Sequence, residues 1–482
     1  MSTQDQPAAS PAPIVLPTVD GRPLRVGVLV YNDCHADARV LKTAATLHDA
    51  GADVRIVAVA RARAGFPEGL ETLDSGVELL RVPEFELVRS APRLAALAKK
   101  VLRVGSGAPA GALIVDVPAP SRARWTSAPV PSAVAVSVPQ EGVARSQSMK
   151  SRAKKTFDSL WMKTYQVVSL AIYHRGARKA LAEWRPDVVH ANDANTLAPA
   201  SRAGVPVVYD SHELWTHRNV SGARPVAKVV EKISERRHAR RAAGVITVSP
   251  SIATWLQDTY RLPVLPTLVR NIPGRPSAPL DPSQGRLRSL AGLRPEDQVI
   301  AYGGRITTSR GIEETLRAMV ELPADVHFVL LGYGEPTYIE PLKVMAADLG
   351  VTDRVHFVGR VGPTEVAAAL ADADLSVVYV RPTCLSYRYS LPNKLFEAIH
   401  AGLPVAAADL PDTAQIVRDY GVGEVFSSDS PHDLARVVSD VLAAPEQFRA
   451  AARAAAQQLT WEGEAAQLLG LYRRVLDASG MT

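Results

Sequence analysis

The chain has 482 residues, of which 47% are hydrophobic and 22% charged, with a formal net charge of +6 at neutral pH. That length exceeds one ordinary core and suits two domains plus extra segments, while the balance of apolar and charged residues excludes a disordered chain and a membrane channel. Its two cysteines, Cys34 and Cys384, lie far apart with no Cys or His at metal-ligand spacing, which points to a reducing compartment and away from a zinc site or a disulfide scaffold.

Residues 1–22 carry no basic stretch followed by an apolar core, so they read as a disordered tail rather than a signal peptide. No stretch approaches the ~18 uninterrupted apolar residues of a spanning helix. The first strand falls at Leu24–Tyr31, a β-branched run of the buried parallel kind. A helix over Ala36–Ala50 follows, closed by Gly51, and then a strand at Asp53–Ala60, which together make a βαβ unit. The rhythm breaks after Arg103, where residues 104–150, rich in Pro, Ala, Ser and Gly, read as a flexible insertion.

A long helix is expected over Ala153–Trp184, then strands at Asp187–Ala191, Val205–Asp210 and Gly244–Ser249. Residues 272–286 hold four prolines in little apolar context and mark an interdomain linker after a first domain over 23–271. A second βα series occupies 287–460, with strands at Val299–Arg305, Val326–Gly332, Val355–Gly359, Leu375–Val380, Pro404–Ala408 and Gly423–Phe426. Residues 461–482 close the chain with an amphipathic helix over Trp461–Ala478, expected to cross back onto the first domain. The fold class is α/β: two doubly wound Rossmann-like domains facing across a cleft, with ligands beyond the carboxyl ends of the strands.

Gly303, Gly304 and Arg305 end the first strand of the second domain, and Arg310-Gly311 opens the next helix. Glycines let backbone amides approach an anion, a helix N-terminus adds partial positive charge, and arginines fork onto phosphate oxygens. The plain alternative is a tight turn with two surface arginines. Residues 390–409, SLPNKLFEAIHAGLPVAAAD, place Asn393 and Lys394 at a helix start and Glu397 one turn on, where a carboxylate can accept two hydroxyl hydrogens.

These two segments resemble the retaining family 4 glycosyltransferases of GT-B fold (bacterial group 1). The resemblance implies that Arg305 and Arg310 hold the donor diphosphate, Arg310 standing where lysine is usual, which keeps the charge and changes the geometry. It implies that Glu397 binds the donor ribose, with Asn393 and Lys394 reaching phosphate. The second glutamate of the family signature, eight positions before Glu397, is Tyr389 here. The sugar contact must then come from elsewhere, such as the backbone of Ser390, Leu391, Pro392 and Asn393. Gly332, Gly334, Arg360 and Val361 belong by the same resemblance to the nucleotide pocket.

On the first domain, DVVHANDANTLAPA and VVYDSHELW resemble segments whose strand ends face the cleft. His212 falls where members of the family carry a histidine near the reacting carbon of the sugar. His190 and Asp193 are acceptor-side candidates that can equally cap the following helix. The loop holding His35, Asp37 and Arg39 resembles the acceptor-side loop, although Asp37 can cap a helix and Arg39 can lie on its exposed face.

Two other readings fail on spacing. His212 and His217 are five apart, ~140° around a helix axis, whereas a zinc-protease pair is four apart. The loop after the first strand, Asn32–Asp37, has no glycine, which rules out a dinucleotide fingerprint there.

The resemblance thus implies a retaining glycosyltransferase with a UDP- or GDP-sugar donor and a glycan or lipid-linked acceptor, serving cell-envelope or exopolysaccharide synthesis. No cofactor or metal is expected, and no nucleic acid partner. The basic, aromatic stretch within 150–183 either suits an anionic membrane surface or packs its aromatics against the first domain with the charges solvated; the expected location is cytoplasmic, with peripheral attachment to the inner face of the membrane on the first of these readings. A catalytically inactive nucleotide-sugar-binding partner or sensor is the alternative that Tyr389 keeps open.

Overall fold

The computed structural model describes residues 14–83, 85, 149–219, 225–276 and 280–481. The expected insertion at 104–150 lies outside these residues, apart from its last two, which open a helix.

The first domain runs β1 (Arg25–Leu29), α1 (Ala38–Asp49), β2 (Asp53–Val59), β3 (Gly69–Thr72), β4 (Glu78–Val82), α2 (Met149–Trp184), β5 (Val188–Asn192), β6 (Val207–Ser211), α3 (Pro225–Ala239), β7 (Gly244–Thr247), α4 (Pro250–Tyr260) and β8 (Thr267–Leu268). Its strands lie in the order β3-β4-β2-β1-β5-β6-β7-β8, all parallel except β3 against β4. The second domain runs β9 (Gln298–Gly303), α5 (Ile312–Ala318), β10 (Val326–Leu331), α6 (Pro336–Asp348), β11 (Val355–Gly359), β12 (Leu375–Val378), α7 (Asn393–His400), β13 (Val405–Ala408), α8 (Pro411–Tyr420), β14 (Gly423–Phe426), α9 (Pro431–Ala443), α10 (Pro445–Gln458) and α11 (Trp461–Ala478). Its sheet is parallel, in the order β11-β10-β9-β12-β13-β14.

Both sheets are β-branched and buried on two faces, as parallel sheets covered by helices must be. Each reverses its winding once, beside β1 in the first domain and beside β9 in the second. A doubly wound sheet opens a crevice at such a point, so the loops after β1, β5, β9 and β12 are where ligand-binding groups belong.

Helix α11 places Leu468, Tyr472, Val475 and Leu476 in one core with Val26, Val28 and Val54 of the first sheet. The Trp461 indole N–H donates to the Thr46 hydroxyl (2.9 Å), and Arg270 Nε donates to Glu464 (2.9 Å). The last helix therefore closes onto the first domain although the chain reaches it from the second. Apolar burial holds it there, worth about 1.5–3 kcal/mol per fully covered side chain.

Two expectations need correction or narrowing. Residues 14–22 belong to the fold rather than to a disordered tail, because Leu16 is 4% exposed and its N–H donates to the Ala50 carbonyl (2.8 Å), while Arg22 pairs with Asp187 (2.7 Å). Within α2, Tyr173, Ala177, Ala180 and Leu181 are buried in the domain core, so this face of the proposed membrane helix is covered by protein. No helix among the described residues is long and apolar enough to cross a membrane.

Candidate active site

The loop after β9 owes its shape to positions where only glycine fits. Gly311 has φ +69°, and a Cβ there would lie 2.0 Å from the Tyr379 ring. At Gly332, after β10, a Cβ would lie 1.8 Å from the Gly304 carbonyl oxygen, so the loops after β9 and β10 can close together only without side chains. Ile306 and Gly334 bridge the same two loops. Gly311→Ala should lower stability by about 2–4 kcal/mol, combining overpacking with left-handed backbone strain. Denaturant unfolding measures it, and an unchanged midpoint would contradict the packing argument.

This closure presents basic side chains at the carboxyl end of the sheet. Arg305 is exposed and takes part in no ion pair or side-chain hydrogen bond among the described residues, its carbonyl instead accepting from the Tyr302 hydroxyl (2.7 Å). Arg310 is half-buried with its guanidinium over the Tyr387 ring (4.9 Å to the centroid). Lys394, in the first turn of α7, sets its ammonium over the Tyr302 ring (4.1 Å), and that nitrogen is buried without a hydrogen-bond acceptor. Burial and then Arg310 push the Lys394 pKa well below its ordinary value, against the opposing pull of Glu397.

Glu397 lies one turn on in α7, its pKa raised by burial and drawn back down by Lys394 and Lys42. Lys42 comes from α1 of the first domain; its ammonium donates to the Ile272 carbonyl (2.7 Å), and burial, then Arg39, bring it down to about 8. The strand-end cluster of the second domain is therefore two cations, Arg310 and Lys394, and one carboxylate, Glu397, with Lys42 reaching it from the first domain. Asn393 is exposed at the start of α7, Arg360 sits over the Tyr333 ring (5.5 Å), and Val361 is half-buried beside it.

Across the cleft, His212 follows β6 and is one-fifth exposed. Its Nδ1 lies 3.6 Å from Asp193 and its Nε2 lies 3.4 Å from Asp210 and 3.1 Å from the Asn192 amide oxygen. Burial works against its proton, yet Asp193 and Asp210 push its pKa up to about 9, so the ring is an imidazolium at neutral pH. Burial lifts the neighbouring Glu213 to about 6, with Asp193 adding to the rise and Arg218 and Arg310 opposing it.

Of the remaining candidates, two turn away from the cleft. His190 does not reach the cleft: it is 0% exposed, with Nδ1 at the Tyr472 hydroxyl (3.0 Å) and Nε2 toward Asp210 (3.4 Å). Arg39 likewise lies inside, forked onto Asp210 at 2.9 and 2.7 Å. Asp37 caps α1 through the Val40 N–H (3.2 Å) and accepts from the Asn32 amide (2.8 Å). His35 is exposed, its ring tilted against Phe66 with the centroids 4.5 Å apart.

Tyr389, standing for the expected carboxylate, packs its ring against the core of the first domain. Its carbonyl accepts from the Ser249 hydroxyl (2.7 Å), so it is an interdomain contact, whereas Leu391 is buried in the core of the second domain. The Ser390 hydroxyl donates back to the Tyr387 carbonyl (2.8 Å), and Pro392 caps α7. Sequence reasoning missed Asp210, Asn192 and Glu213, although their place at the end of β5 and β6 was the available signal.

Residues 285–458 match the family model for glycosyl transferases group 1, and residues 149–271 match that for Glycosyltransferase Family 4. A D-inositol 3-phosphate glycosyltransferase of Streptomyces scabiei is 30% identical over 334 residues, covering 63% of this chain and 72% of that protein. The chain belongs to the group 1, family 4 glycosyltransferases. The enzyme of the same name from Segniliparus rotundus is 28% identical to this glycosyltransferase over 61% of the chain and 67% of its own length.

Among solved structures, sucrose-phosphate synthase from Thermosynechococcus elongatus matches 94% of the chain and 100% of its own, at a TM-score of 0.63 and 17% identity. Anabaena HepE in complex with UDP matches at 0.59 and 15% identity, over 94% of this chain and 100% of its own. The same protein has also been solved with UDP-glucose. The fold of this glycosyltransferase is GT-B.

Proposed function

We propose that the chain transfers a sugar from a nucleoside-diphosphate sugar to a hydroxyl acceptor, with retention of anomeric configuration, and that the donor diphosphate lies on Arg305, Arg310 and Lys394. The observation that carries this is the Lys394 ammonium, buried at a helix N-terminus without an acceptor and flanked by Arg310. Leaving a cation so placed is costly unless an anion completes it. Glu397, one turn along α7, suits the ribose hydroxyls. UDP is the favoured nucleotide, on the ligand named for the HepE structures. The named activity of the curated relatives makes a phosphorylated polyol an acceptor to test beside glycan and lipid-linked ones.

In this reaction the acceptor oxygen attacks the anomeric carbon on the face from which the diphosphate departs. The bond from that carbon to the phosphate oxygen breaks, the acceptor proton passes to the leaving phosphate, and the products are the nucleoside diphosphate and the glycosylated acceptor. Arg305, Arg310 and Lys394 stabilise the developing phosphate charge, the kind of electrostatic help worth about 10²–10³ in rate per donor group. The His212 imidazolium, held by two carboxylates, offers an N–H to the transferred sugar from the other wall.

Arg305→Ala should lose at least ~100-fold in kcat. Its unfolding free energy should stay within about 0.5 kcal/mol of wild type, as expected of an exposed side chain without a partner. Full activity in the purified variant would remove Arg305 from the site. Proton NMR of the product reads the anomeric outcome: an α-linked donor giving an α-linked product supports retention, and a β-linked product overturns it. Binding of UDP-sugars without turnover over a panel of acceptors would instead favour the non-catalytic binder.

A further inference from the structure

His190 and Tyr472 are buried polar groups for which the donor site has no use, and they meet. Tyr472 comes from α11, 282 residues further along the chain from His190, with its hydroxyl 3.0 Å from His190 Nδ1 and the two rings stacked at 7°. Both side chains are 0% exposed. His190 Nε2 lies 3.4 Å from Asp210 Oδ2, the same oxygen that lies 3.4 Å from His212 Nε2. Arg39 donates to both oxygens of that carboxylate from its far side.

The donors and acceptors assign themselves along this line. Asp210 accepts, so His190 Nε2 carries the hydrogen; His190 Nδ1 is then an acceptor, and the Tyr472 hydroxyl donates to it. Asp210 is thus pinned by two groups that never reach the cleft, Arg39 and His190, and the one neighbour of this carboxylate that does is His212.

We propose that Tyr472 and His190 are positioning residues for His212: they form a buried hydrogen-bonded line from the C-terminal helix to Asp210, which fixes the carboxylate that orients His212 toward the transferred sugar. The idea rests on His212 as a reaction-centre residue. It gives the crossing-back helix a function beyond covering apolar surface, because a displaced α11 removes the hydroxyl that holds His190 in its donor tautomer. Asp210 then keeps Arg39 and His212 but loses one fixed direction.

The groups facing His212 are Asp193 and Asn192 from the end of β5, Asp210 from β6, Glu213 beside it and Arg39 from α1. The His190 N–H shares Asp210 Oδ2 with His212. Removing it leaves more of the carboxylate charge to His212, so that ring should hold its proton to higher pH.

The test is hydrogen–deuterium exchange at the imidazole C2 position, read residue by residue by mass spectrometry, on full-length wild type, His190→Phe and Tyr472→Phe. Steady-state pH profiles for donor turnover are measured alongside. The proposal expects His212 to titrate higher by on the order of half a pH unit in His190→Phe. It expects a smaller shift in the same direction in Tyr472→Phe, and in both a lower kcat with the donor KM little changed. Folded variants whose His212 titration matches wild type would overturn it, whatever their thermal stability, since a merely structural pair would not move that titration. Full activity in His212→Ala would separately overturn the reading of His212 as a reaction-centre residue, without touching the titration result.

Discussion

Replacing Lys394 with methionine is expected to make the protein more stable and nearly inactive. The ammonium is buried over Tyr302 with no hydrogen-bond acceptor, and Arg310 adds like charge. A cation–π contact recovers about 1–2 kcal/mol of the desolvation cost. That cost is several kcal/mol for an ion taken out of water. Methionine fills much the same volume without charge, so the unfolding free energy should rise by about 1–3 kcal/mol.

The sign with pH follows from the depressed folded-state pKa. The penalty is complete below the folded-state pKa and shrinks from there up to the unfolded value, so the gain should be largest at acidic pH and gone as pH reaches ~10.4. Donor turnover should fall at least ~100-fold, the loss of a cation from the developing phosphate charge. Denaturant unfolding at pH 7 and pH 10.5, with turnover of the same preparations, reads both effects. A variant that is both less stable and fully active would contradict the site on each count.

Arg39→Met should be the most destabilising single change outside the apolar core, at about 3–5 kcal/mol, the range for leaving one partner of a buried ion pair alone. Asp210 is 1% exposed, and burial opposes its charge; Arg39 is the first of the cations that nonetheless hold it well below the usual carboxylate range. A depressed carboxylate pKa contributes stability that is present above the unfolded value of ~3.9 and is lost as pH falls through the folded one. The variant should therefore lose less stability than wild type on acidification below pH 4. Urea denaturation across pH 3–7 checks this, and a wild-type acid limb in the variant would show that Arg39 is not what holds Asp210.

The alternation of strands and helices was legible because parallel strands buried on both faces read as short β-branched runs. The expected strand at Val355–Gly359 and helix at Trp461–Ala478 coincide with β11 and α11. Strand β3 was invisible for the converse reason: its four residues are all exposed, and an edge strand held by one neighbour carries no apolar pattern. In the second domain, one loop and one helix start supply Arg305, Arg310, Lys394 and Glu397, so local spacing was enough to single them out, and Arg310, Lys394 and Glu397 do interact.

The first domain was harder to read. Arg39 and His190 look like cleft residues in sequence, and only tertiary packing reveals that both turn inward onto Asp210. Tyr472 had no local signal at all, because its partner is 282 residues away. Tyr389 is similar: as a replacement for a carboxylate it suggested a lost sugar contact, whereas its place in the fold is a seam between domains.

The measurement that bears most directly on the central claim is isothermal titration of UDP into wild type, Lys394→Met and Glu397→Ala. The pocket on α7 predicts that wild type binds UDP. Binding should fall at least ~10-fold in each variant. UDP binding of equal strength in all three proteins would place the donor somewhere other than Arg305, Arg310, Lys394 and Glu397.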